Sequence, residues 1–94
     1  MNYVRQIHLD GNGITNEHIS KIRVSSTPNG VLNEESRETA VHNIDAYGMS
    51  YRSHNDRTGS EASVDTRTSV RGTKYIATVA DKTETNNLLQ LTRY

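Results

Sequence analysis

The chain has 94 residues, 32% of them hydrophobic, with no Cys, Trp or Phe, and five Tyr supply its only aromatic mass. Eleven basic and eleven acidic residues cancel to a formal net charge of zero. That length supports one core, the missing Cys excludes disulfides, thiol catalysis and thiolate metal sites, and the balanced charge argues against general nucleic-acid or membrane-surface binding, which needs a one-signed field.

Tyr3 to Leu9 alternates as a strand, with Tyr3, Arg5, Ile7 and Leu9 on one mostly apolar face and Val4, Gln6 and His8 on the other. Asp10-Gly11-Asn12-Gly13 is a turn, since Asp-Gly and Asn-Gly accept positive φ cheaply. It lacks the glycine spacing of a nucleotide loop, and no helix follows at once. Glu17 to Ser26 reads as a second strand, with Ile22 and Val24 facing one way and Ile19 the other. The loop Ser25-Ser26-Thr27-Pro28-Asn29-Gly30 carries the single proline.

Glu34 to Tyr47 is the one convincing helix. Ser36 is a good N-cap, and a start at Asn33 would put two glutamates in the first turn, where the helix dipole favours them. Ala40, Val41, Ile44 and Tyr47 form a narrow apolar stripe, and Gly48 stands where a left-handed terminator belongs. Arg37, Glu38, His42, Asn43 and Asp45 make the polar face, so this helix is expected to lie on a sheet with its other side in water. Met49 to His54 is a third strand and Asn55 to Gly59 a hairpin loop. Ala62 to Val70 alternates most cleanly, with Ala62, Val64, Thr66, Thr68 and Val70 inward and Ser63, Asp65, Arg67 and Ser69 outward. After Arg71-Gly72 a fifth strand holds Tyr75, Ile76 and Val79, breaking at Ala80-Asp81-Lys82. The last segment, Asn86-Asn87-Leu88-Leu89-Gln90-Leu91, joins a polar anchor to an apolar plug and reads as a tail, 81–91, that docks on the core.

The expected architecture is therefore one α+β domain over 1–94: a mainly antiparallel sheet of about five strands with one helix packed on one face. No apolar run approaches the ~18 residues of a membrane span, and Met1-Asn2-Tyr3-Val4-Arg5 lacks a signal-peptide core, so a soluble cytoplasmic protein is expected. A small chain this poor in apolar residues gains stability from self-association, so a homo-oligomer is expected as well.

The C-terminal stretch also carries a resemblance. Tyr75, Ile76 and Thr78, then Asp81 and Thr83, then Asn87, Leu88, Leu89 and Leu91 resemble the signature of the DUF3892 family, small bacterial proteins that share a domain of unknown function. Ile19 to Arg23 is similar to the family's opening strand, and Ser36-Arg37-Glu38 to its helix start. The chain departs from the pattern at Lys82, Asn86 and Thr92. The resemblance spans about Ile19 to Leu91 and implies a fold without implying a chemistry.

No catalytic constellation stands out. His8, His18, His42 and His54 are not at metal-ligand spacing, so no metal and no cofactor are expected. No nucleophile elbow is present. Glu34-Glu35 reads as helix-start charge, and Asp81 as a turn former. Eight of the eleven basic residues are Arg, the residue that grips carboxylate or phosphate with two parallel bonds. Arg52, Arg57, Arg67 and Arg71 lie on or around the third and fourth strands, and Tyr51 beside them offers a stacking surface. Asn87 either caps the leucine tail or reads an amide or base edge. These six residues form the expected site for an anionic or nucleotide-like ligand, such as a signalling nucleotide. The alternative is solvated arginines paired with Asp56, Glu61 and Asp65, in a protein-interaction or regulatory domain without a small ligand.

Overall fold

Among the described residues of the computed structural model (1–11, 13, 15–79 and 88–94), seven strands form one sheet and one α-helix packs across it. The strands are β1 (Asn2–Leu9), β2 (Ile19–Ser25), β3 (Asn33–Ser36), β4 (Tyr51–His54), β5 (Glu61–Thr68), β6 (Lys74–Thr78) and β7 (Thr92–Arg93); the helix is α1 (Arg37–Tyr47). They run in the order β3-β2-β1-β4-β5-β6, with β7 added beside the second half of β1. All neighbours are antiparallel except β1–β4 and β1–β7. The fold is α+β, with β3 and β7 beyond the expected five strands.

Two bulges reassign the faces expected for β1 and β2. Val4 pairs with Val24 but Gln6 pairs with Arg23, so Arg5 is an extra residue on β1. A bulge turns two successive side chains to one side, and Val4 and Ile7, not Ile7 and Leu9 alone, become the fully buried pair. Arg5, Gln6 and His8 share the outer face with Tyr3. On β2 the register skips Ser20, which brings Ile19 onto the same buried side as Ile22. This strand begins at Ile19 rather than Glu17, because Asn16–His18 is a 3-10 turn.

The helix begins later than Glu34. Asn33 to Ser36 pairs with Val24 to Lys21 instead, satisfying the backbone in the sheet, so Glu34 and Glu35 sit on opposite faces of a strand and not in a helical first turn. Ser36 then caps the helix: its Oγ accepts a bond from the Thr39 N–H at 3.1 Å. Gly48, at φ 62°, closes it, and its N–H reaches the Ile44 carbonyl at 3.1 Å. Ala40 and Val41 are buried and Ile44 half-buried, but Tyr47 is 69% exposed and leaves the expected stripe.

At the far end β5 stops at Thr68. Residues 69–73 form a tight turn, with the Ser69 N–H on the Thr73 carbonyl at 2.9 Å, so Val70 points into solvent rather than inward. The core joins Val4, Ile7, Ile22 and Val24 to Val41, Tyr51, Val64 and Ile76, and is closed by Leu88 and Leu91. Leu88 is fully buried and Leu89 packs against the same cluster. The expected break at Ala80-Asp81-Lys82 and the Asn86-Asn87 anchor lie outside the described residues.

Candidate functional site

The structure distributes the expected ligand residues over separate places. Tyr51 faces the helix, 2% exposed, where its hydroxyl donates to Glu35 Oε1 at 2.7 Å and accepts from Asn43 Nδ2 at 2.9 Å. It is a core residue that ties β3, α1 and β4 together, not a stacking platform. Burial first, and then the Glu35 carboxylate that it donates to, push its phenol up to about 12, against the opposing effect of the Asn43 amide that donates to it. Strand alternation puts Arg52, its neighbour, on the opposite face.

Arg52 pairs with Glu61 at 3.4 Å and lies opposite Ser63. Arg67 is four residues further along β5, roughly 13 Å away at ~3.3 Å per residue; it is exposed and sits opposite Tyr75. Arg57 and Arg71 occupy the turns before and after β5, roughly 25 Å apart on the same rise. Among the described residues the guanidinium groups of Arg57, Arg67 and Arg71 form no hydrogen bond or ion pair. Asn87 lies outside the described residues.

Arg5, absent from the expected set, is instead the centre of a charge network on the outer face. The bulge aims it at Asp56, gripped through Nε at 3.0 Å and a terminal nitrogen at 3.1 Å, while its other nitrogen donates to the Gly30 carbonyl at 2.6 Å. His54 lies between Glu61 (2.7 Å) and Asp56 (3.8 Å), with its ring edge-on to Tyr3. Arg52 extends this line through Glu61. Every cation in the line already has a carboxylate, so the network fastens β1, β4 and β5 and offers little to an external anion. Beside it, the Arg23 guanidinium stacks 3.9 Å from the Tyr94 ring centre.

A concave site lies on the helix side. A groove of about 400 Å³ runs between α1 and the start of β6, lined by Arg37, Glu38, Val41, His42 and Asp45 from the helix, Thr73 from the β5–β6 turn and Lys74 from the strand. The helix supplies its residues from one polar face, and the β5–β6 turn brings Thr73 and Lys74 against them. Arg37 is braced by a 2.9 Å bond to the Glu17 carbonyl and lies 3.5 Å from Glu38. Lys74 donates to Asp45 Oδ2 at 2.5 Å, and Thr66 donates to Oδ1 at 2.6 Å. Those two bonds, Lys74 foremost, hold the Asp45 carboxyl below the ordinary carboxylate value of 3.8. His42 stands edge-on to Tyr47, with ring centres 5.1 Å apart. Arg71 is in the turn that leads into Thr73, so among the described residues of the expected six it is the one next in sequence to this groove.

Among the described residues no group of three or more His, Asp or Glu is placed to hold a metal ion. No described helix is long and apolar enough to cross a membrane. The family model described as "Protein of unknown function (DUF3892)" matches residues 3–92. No curated protein and no solved structure matches the chain.

Proposed function

The chain belongs to the DUF3892 family, and from that premise we propose that it is a non-enzymatic binding protein that captures a small anionic, phosphate-bearing ligand, a nucleotide being one such, in the groove between α1 and β6. The observation that carries this reading is the meeting of Arg37, His42 and Lys74 around one concavity with Val41 in its lining. Its volume falls in the ~300–1,000 Å³ of small-molecule sites. Arg37 supplies a planar fork for two phosphate or carboxylate oxygens, Lys74 a mobile point charge, and His42 a further donor. Val41 and the Tyr47 ring beyond His42 give an apolar side against which a base or acyl part can rest. The arginine-lined pocket expected from sequence thus moves to the helix side, with Arg71 at its margin and Arg52, Arg57 and Arg67 outside it. On this reading the protein works in the cytoplasm, where phosphorylated metabolites are plentiful.

Isothermal titration with inorganic phosphate, pyrophosphate and a nucleotide panel tests it. Wild-type protein binds at least one of them, and Lys74→Met weakens that binding at least about tenfold, the loss of one charge-assisted bond. Equal binding by both proteins, or none by wild type, overturns the site. The second reading is a protein-interaction domain. It is favoured by the exposure of Tyr47, Met49 and Val70, large side chains left in solvent.

A further inference from the structure

We infer that Asp45 is a built-in competitor for the ligand of the α1–β6 groove and sets the charge that ligand must carry: two or more negative charges on one compact group, as on a phosphate or pyrophosphate. The inference rests on the groove being the anion site and names what that site selects.

Arg37 and Lys74 contribute two positive charges to the groove, and Glu38 and Asp45 two negative ones, so among the described residues these four side chains cancel. The two carboxylates are not equivalent. Glu38 is 3.5 Å from Arg37 with its side chain 73% exposed, a contact that an entering group displaces at little cost. Asp45 is held at both oxygens, by Lys74 and by Thr66, across sequence separations of 29 and 21 residues. It presents to Lys74 what a bound carboxylate would present: two sp² oxygens and a single negative charge. Lys74 and Thr66 also keep Asp45 ionised.

A monoanion such as acetate brings nothing to Lys74 that Asp45 does not already supply at far higher effective concentration. It cannot displace the internal group. A phosphate dianion has a larger charge and three or more acceptor oxygens, so it can share Lys74 with Asp45 or take it over while also bonding Arg37. Asp45 therefore costs affinity for every anion, and costs monoanions most. The benefit is selection against the chloride, bicarbonate and small carboxylates that surround any protein.

The test titrates the full chain, at neutral pH and low ionic strength, with acetate, inorganic phosphate and pyrophosphate. The proteins are wild type, Asp45→Asn, Asp45→Ala and Glu38→Gln, each first shown by its melt to be folded. Asp45→Asn is nearly isosteric and removes the charge; Asp45→Ala guards against an Asn side chain that still bonds Lys74. Both should tighten phosphate by about three- to fivefold, the upper end for releasing a solvent-exposed ion pair. Acetate should gain more, so the preference for phosphate over acetate falls. Glu38→Gln should change either anion by less than about threefold, as expected for loosening a surface pair. If wild type binds phosphate and the Asp45 variants bind it equally or more weakly, Asp45 is no competitor, although the groove stands. If Glu38→Gln tightens binding as much as Asp45→Asn, the effect is that of net charge and the specific role is refuted. If neither wild type nor the Asp45 variants bind any of the three anions, the site reading fails and this inference with it.

Discussion

Replacing Tyr51 by Phe tests the link between the buried tyrosine and the three elements it joins. The ring fills core space beside Val64, its partner in register, and Phe retains that packing. What is lost is one oxygen, which donates to Glu35 at 2.7 Å and accepts from Asn43 at 2.9 Å. A hydrogen bond to a charged partner contributes ~1.5–3 kcal/mol. Glu35 is only half-buried, so water reaches part of its carboxylate in the variant, and the low end, about 1.5–2 kcal/mol, is expected. For a chain of this size each kcal/mol moves Tm by roughly 4–8 °C, which makes the loss about 6–16 °C. Urea titration should show a lower midpoint with an unchanged slope. The alkaline limb gives an independent check. The folded phenol is pushed up to about 12 from an ordinary value of 10.0. A folded value above the unfolded one means stability that is fully present below pH 10 and lost as pH rises toward 12. Wild type should therefore lose its advantage over Tyr51→Phe across that interval. A Tm drop under about 2 °C, or a difference between the two proteins that does not narrow above pH 10, would refute the reasoning.

Arg5→Lys keeps the charge but cannot reproduce the paired bonds to Asp56 together with the bond to Gly30, so it should cost about 1–2 kcal/mol in a denaturant melt; an unchanged midpoint would make the network ornamental. Leu88→Ala empties a fully buried position and should cost about 2–5 kcal/mol, whereas a near-neutral result would show that the tail does not close the core. Sedimentation at micromolar concentration should reveal a dimer or larger species, because a monomer with this little apolar mass has a small core; a clean monomer contradicts that expectation.

What the sequence made legible was local. Ser36 and Gly48 bound the helix because capping chemistry acts within one turn of its own residue. Alternation located Ala62 to Thr66 and placed Arg67 on the exposed side because β5 has no bulge there. The leucines of the tail announced their burial by composition. What stayed hidden was non-local. The bulge at Arg5 reverses the parity of β1, and no residue type near it is diagnostic. Glu34-Glu35 suited a helix start on propensity, but pairing with β2 claimed their backbone first. The Arg5–Asp56 grip spans 51 residues and the Lys74–Asp45 contact 29, so neither can be seen before the strand order is known. Arg37, Glu38, His42 and Asp45 were visible as a polar helix face, but that face is a groove only because the β5–β6 turn delivers Thr73 and Lys74 to it. The spread of Arg52, Arg57, Arg67 and Arg71 along β4, β5 and their turns, with Tyr51 on the reverse side of β4, is likewise a matter of distances that strand alternation alone does not give.

The most direct measurement of the central proposal is a pyrophosphate titration followed by backbone amide shifts in full-length protein. Saturable shifts are expected, concentrated at Arg37 to Asp45 and at Thr73 and Lys74 and abolished by Lys74→Met. Shifts centred instead on Arg52, Arg57 and Arg67, or no saturable shifts at all, would contradict it.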